Sequence, residues 1–139
     1  MRSQSANPRS QSQPLIILIA GPYRSGTDGD ANRIEANLRA LESHALPIYR
    51  AGHIPMIGEW VALPVARAAG SREVGDPISE QFLYPVASRL LERCDAVFRI
   101  PGASKGADED VRIARERGLP VYFQLSDVPG IDADAGARG

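Results

Sequence analysis

The chain has 139 residues, 43% of them apolar, and a net charge of -1, which suits one domain with one hydrophobic core and leaves no basic stripe for a nucleic-acid backbone. The single cysteine, Cys94, excludes an internal disulfide framework, and the two histidines show no metal-site spacing, so neither a metal nor another cofactor is expected. The expected partner is a small molecule.

Residues 1–13, "MRSQSANPRSQSQ", have the Ser/Gln/Pro composition of a disordered leader and lack the apolar centre of a secretory signal. No apolar run reaches membrane-spanning length. A cytoplasmic protein without a membrane partner is therefore expected. The folded unit should cover 14–130, with a flexible tail over 131–139.

"LIILIA" (15–20) is a short continuous apolar run, the pattern of a strand buried on both faces. A Gly/Ser/Asp-rich loop to Asp30 follows. In "ANRIEANLRALESHALPIYRAG" the residues Ile34, Leu38, Leu41, Ala45 and Ile48 fall at helical spacing, with Gly52 as a stop and Pro47 as a point where the regular helix can end early. "HIPMI" (53–57) reads as a second strand. Residues 58–76 have no firm periodicity. "PISEQFLYPVASRLLERC" carries Leu83, Val86, Leu90, Leu91 and Cys94 on one helical stripe, with the regular part expected to begin at Pro85. "AVFRI" (96–100) and "VYFQL" (121–125) read as the third and fourth strands. Between them "ADEDVRIARERG" reads as a helix, with acids in its first turn, arginines in its last and Gly118 at its end.

Strands alternating with helices imply parallel pairing, hence a three-layer flavodoxin/Rossmann-like α/β domain with a parallel sheet of four to five strands. Ligands in such folds bind at the carboxyl ends of the strands. The loops after 15–20 and after 96–100 should meet there. The first, "AGPYRSGTDGD", offers Gly21 and Gly26 for close backbone approach and Tyr23, Arg24 and Ser25 as donors. It is neither a Walker loop nor G-x-G-x-x-G, and a plain turn and an anion site both fit it. Arg24 is the strongest ligand-contact candidate, since a guanidinium grips phosphate or carboxylate with two parallel hydrogen bonds. The second loop, "IPGASKGADEDVRIA", brings Ser104, Lys105 and Gly106 to a helix N-terminus, a natural place for an anion. Asp108, Glu109 and Asp110 follow. Three carboxylates there either stabilise the helix dipole or keep a nucleophile ionised beside a ligand.

Other residues carry structural expectations. Asp95 should cap the entry to the third strand, His53 should be structural, His44 exposed and Cys94 buried. Glu59 and Trp60, just past the second strand, are candidates for a base pocket; Trp60 suits core packing as well.

"IAGPYRSG", "LLERCDAVFRIPG" and "SKGADEDVRIARERGLPVY" together resemble the nucleoside 2-deoxyribosyltransferase-like superfamily, which includes deoxynucleoside 5'-monophosphate N-glycosidases. The resemblance covers most of 15–123, apart from 58–82. It implies a flavodoxin-like sheet, a homodimer or larger homo-oligomer, a small-molecule nucleotide or nucleoside as partner, and a (deoxy)nucleoside 5'-monophosphate as the substrate. It also implies cleavage or exchange of the bond between base and sugar through a carboxylate nucleophile, as in retaining glycoside hydrolysis. Carried onto this chain, Gly21, Arg24 and Gly26 match the phosphate loop and Ser104 the later phosphate-binding serine. The nucleophile position falls on Asp110, one methylene shorter than the usual glutamate, where a displacement of about 1 Å costs on the order of a hundredfold in rate.

Glu109 is an alternative nucleophile, but one residue's step turns it about 100° around the helix. A further helical acid of the superfamily is Ala87 here, and a tyrosine is Leu18. Glu59, Asp76 or Glu80 are candidates to replace the acid and Tyr23 the tyrosine. Two other readings stand beside this one. A non-catalytic nucleotide-binding or sensing module fits the losses at Leu18 and Ala87. A phosphoribohydrolase similar to cytokinin-activating enzymes is echoed in "PGASKGADED", with spacing one residue longer.

Overall fold

The first strand, β1 (Ile16–Ala20), is apolar at every position because both its faces are covered. In the computed structural model, which describes residues 13–73 and 75–131, Ile17 and Ile19 enter one core and Leu18 and Ala20 another. Burying each large aliphatic side chain contributes about 1.5 to 3 kcal/mol. The expected leader (1–13) and tail (131–139) lie, apart from Gln13 and Ile131, outside the described residues.

After β1 come α1 (Ala31–Glu42), α2 (Ala45–Arg50), β2 (Ile54–Met56), α3 (Gly58–Ala68), α4 (Pro77–Leu91), β3 (Ala96–Arg99), α5 (Lys105–Glu116) and β4 (Val121–Tyr122). All pairings are parallel, in the order β2-β1-β3-β4. Leu41 of α1 and Ile48 of α2 join Ile17, Ile19 and Phe98 on one face; Leu91 of α4 and Ala107, Val111 and Ala114 of α5 join Leu18, Ala20 and Val97 on the other. The domain is a three-layer flavodoxin-like α/β fold.

Several boundaries differ from the sequence expectation. The long helix is two, broken at Ser43–His44 rather than at Pro47. Pro47 has no N–H for the carbonyl of Ser43 and its ring would strike that carbonyl, so the chain breaks four residues earlier and Pro47 falls in the first turn of α2, where no N–H is needed. The segment without periodicity contains α3, which buries only Ala62 and Ala66 while Val61 and Val65 stay exposed. It packs against α4, and the outward valines erase the apolar pattern.

Helix α4 begins at Pro77, not Pro85. Asp76 caps it: Oδ1 accepts from the Ser79 amide at 2.8 Å, and Oδ2 from the Arg72 and Glu73 amides. These amides hold the Asp76 carboxyl well below its ordinary range, Ser79 contributing most. Pro85 is tolerated inside the helix because it and Gln81 are exposed, so water can satisfy the freed carbonyl of Gln81. The fourth strand has two residues instead of the five expected. Among the described residues β4 is an edge strand that pairs with β3 at Val97 and Phe98; beyond Tyr122 the chain bends into a 3-10 turn at Leu125–Asp127.

The anchors at the amino ends of the strands follow the expectation. Asp95 Oδ2 accepts from the Ile16 amide at 2.9 Å. His53 is buried between the Leu15 amide, bound by Nδ1 at 3.0 Å, and the Pro129 carbonyl, 2.6 Å from Nε2. These partners assign the neutral tautomer with the proton on Nε2. Cys94 is buried, and burial pushes its thiol up to about 11. His44 is half-buried, its ring 5.3 Å from that of Phe98, and so is less exposed than expected.

Candidate functional site

In this strand order the chain leaves β1 for β2 on one side and reaches β3 on the other, which opens a crevice at the carboxyl ends of β1 and β3. The two loops meet there at close range. A Cβ on Gly21 would overlap the Ile100 side chain, and one on Gly102 would come 2.7 Å from Pro22 Cγ. Only glycine lets the backbones pass.

A cleft of about 130 Å³ lies at this junction. Leu18 to Gly21, Tyr23, Arg24 and Ser25 line it from β1 and its loop. Gly58 and Glu59 line it from the start of α3, Glu80, Leu83, Tyr84 and Ala87 from α4, and Ser104, Gly106, Ala107 and Asp110 from the start of α5.

The first loop is shaped from within. Thr27 closes the turn by donating its hydroxyl to the Arg24 carbonyl at 2.6 Å, and the Tyr23 carbonyl accepts from Asn37 at 2.8 Å. Gly26, at φ 72°, supplies the left-handed turn and faces solvent outside the cleft. Tyr23 is buried, and its hydroxyl is pushed up to about 12 by burial first and the charge of Glu59 second. At neutral pH it is a hydrogen-bond donor.

Ser104 caps α5, its Oγ accepting from the Ala107 amide at 3.0 Å, which leaves its hydroxyl proton for a ligand. Gly106 lies against Tyr84; a Cβ there would sit 3.4 Å from the ring. Lys105 is exposed and outside the cleft.

The three acids of α5 face different ways, as successive turns of about 100° require. Asp108 accepts from Arg99 Nη2 at 2.7 Å. Glu109 is gripped by Arg112 at 2.6 and 2.9 Å, which lowers its carboxyl. Asp110 faces the cleft, where burial, then the charges of Glu59 and Glu109, push its carboxyl from 3.8 up to about 7 against the pull of Arg99. Glu59 is also raised, by burial. Two carboxyls thus face one cleft from different helices, and both resist ionisation.

Of the residues expected from sequence, Gly21, Tyr23, Arg24, Ser25, Ser104, Gly106, Asp110 and Glu59 come together, whereas Gly26, Lys105, Glu109 and Trp60 do not. Trp60 neither packs in the core nor reaches the cleft. One helical step beyond Glu59, it is 39% exposed and donates from Nε1 to Glu42 Oε2 at 2.7 Å. Among the acids considered as replacements, Glu59 and Glu80 reach the cleft, while Asp76 serves as the cap of α4. Leu18 and Ala87 both line the wall. Sequence reasoning missed Tyr84 and Leu83 as lining residues; the signal would have been a helix read through Pro85 from its Asp76 cap.

Arg24 is held by Glu80, with Nη1 2.9 Å from Oε2. Oε2 makes no aligned hydrogen bond, so the contact is ionic, and the buried Nε of Arg24 has no hydrogen-bond partner among the described residues. Gly75, at φ 83°, lies against the guanidinium; a Cβ there would come 2.8 Å from Nε.

No helix among the described residues is long and apolar enough to cross a membrane. Comparison of the sequence with protein-family models and with curated proteins returned no match.

Proposed function

We propose that the cleft binds a nucleotide or nucleoside and that the protein cleaves, or transfers across, its N-glycosidic bond. The observation that carries this reading is the meeting of Asp110 and Glu59 at one cleft at the carboxyl ends of the strands. The charge of Glu59 opposes ionisation of Asp110, so the two carboxyls suit opposite roles, one ionised and one protonated. Arg99 pulls Asp110 toward its ionised form and burial favours the neutral form of Glu59, so we assign the nucleophile to Asp110 and the proton donor to Glu59.

The roles follow from that division. The Asp110 carboxylate attacks the anomeric carbon, the carbon–nitrogen bond breaks, and Glu59 gives its proton to the departing base. Water, deprotonated by the Glu59 carboxylate, then attacks the same carbon, frees Asp110 and restores the proton on Glu59. A second base in place of water makes the reaction a transfer. Tyr23, Ser104 and Arg24 orient the sugar and its 5' substituent. Leu18 and Ala87 offer an apolar wall.

Chromatography of a panel of ribo- and deoxyribonucleosides and their 5'-monophosphates tests the reading. Base is released by the wild type and not by Asp110→Ala. A panel that yields no base sinks the hydrolytic reading. Calorimetric binding without turnover then supports the second reading, a nucleotide-binding module, which the apolar Leu18 and Ala87 favour. The resemblance also implies a homo-oligomer, for which light scattering of the purified chain is the direct measurement.

A further inference from the structure

A phosphate site must present net positive charge or free donors, because a phosphoryl group binds through charge-assisted hydrogen bonds. Among the described residues lining the cleft, the charged and acidic side chains are one guanidinium, Arg24, and three carboxyls, Glu59, Glu80 and Asp110. The guanidinium is already engaged by Glu80 at 2.9 Å. Gly75 also packs on it, closely enough that a Cβ there would come 2.8 Å from Nε.

We infer that Glu80 is the specificity residue of this cleft: by occupying Arg24 it makes a 5'-phosphate compete with a carboxylate already in place, and so selects a sugar with a free 5'-hydroxyl over its phosphorylated counterpart. The inference rests on the N-glycosidic reading for its substrate class, although the charge argument does not need catalysis. To reach Arg24 a phosphate would have to displace Glu80 and leave that carboxylate without its cation in a cleft whose other charged or acidic groups are two carboxyls. A hydroxyl has no such conflict. It brings no charge to compete with Glu80 and leaves the ion pair intact.

The test uses the full chain with Glu80→Gln, which keeps shape and removes charge, and the double variant Arg24→Gln/Glu80→Gln, all verified as folded by circular dichroism. The first readout is the ratio of kcat/KM for a nucleoside to that for its 5'-monophosphate. Wild type favours the nucleoside, and Glu80→Gln moves the ratio toward the monophosphate by about tenfold or more, as expected for freeing a charge-assisted phosphate contact. The second readout, independent of turnover, is the affinity for inorganic phosphate by calorimetry. It tightens in Glu80→Gln and returns to the wild-type level in the double variant. A wild type that prefers the monophosphate, or a Glu80→Gln variant with unchanged phosphate affinity, overturns the inference. If no nucleoside or nucleotide is cleaved or bound, the N-glycosidic reading fails alone, and the phosphate affinities still decide the role of Glu80.

Discussion

Asp110→Asn should stabilise the protein in a pH-dependent way. The carboxyl moves from 3.8 in the unfolded chain to about 7 in the fold, so between those values the folded state holds a proton that the unfolded state has lost. Its stabilising contribution is fully present below pH 3.8 and is lost as pH rises through 7. The loss amounts to about 4 kcal/mol at 1.36 kcal/mol per pH unit. Part of it belongs to the interaction with Glu59, so about 2 to 4 kcal/mol is the range expected. Asparagine has nearly the same shape and never ionises. The variant should match the wild type near pH 4 and exceed it by that amount at pH 8. Urea unfolding followed by far-ultraviolet circular dichroism at intervals between these pH values measures the difference. At a slope of about 2 kcal/mol per molar urea, the midpoint should move by about 1 to 2 M. If the two proteins instead keep a constant separation across that range, the Asp110 carboxyl titrates as an exposed one, and its enclosure beside Glu59 is refuted.

Three further outcomes are expected. Glu59→Gln should lower kcat for base release by about 10²- to 10⁴-fold, the usual contribution of a general acid, with KM little changed; a normal kcat assigns the proton donor elsewhere. Gly21→Ala, whose new methyl would overlap the Ile100 side chain, should cost about 1 to 3 kcal/mol in urea unfolding, and an unchanged midpoint would show that the loops are not in close contact. His53→Ala should destabilise by about 2 to 3 kcal/mol because it strips partners from the Leu15 amide and the Pro129 carbonyl; hydrogen exchange at Leu15 should rise in the same variant.

The amino-acid sequence alone determined the layer architecture. A strand such as Ile16–Ala20 can be apolar throughout only if both faces are covered, and four strand segments alternating with helical ones leave parallel pairing as the solution. It also determined where a site could lie, because in this topology the loops after β1 and β3 must converge. The glycines that allow the convergence, Gly21 and Gly102, are visible in the sequence, although the atoms they avoid, on Ile100 and Pro22, are not.

Only the tertiary structure decided which side chains face the cleft. Asp108, Glu109 and Asp110 are adjacent in the chain, but Arg99 and Arg112 take the first two and leave Asp110 to the cleft. Glu59 and Glu80 lie on helices hidden from a periodicity reading by inward alanines, outward valines and tolerated prolines. They reach Asp110 and Arg24 through the packing of α3 against α4 beside the sheet. Helical periodicity reports which face of a segment is apolar; it carries no information on which other segment that face will meet. The carboxyl pair, and the carboxylate that already holds Arg24, exist only after the helices have docked.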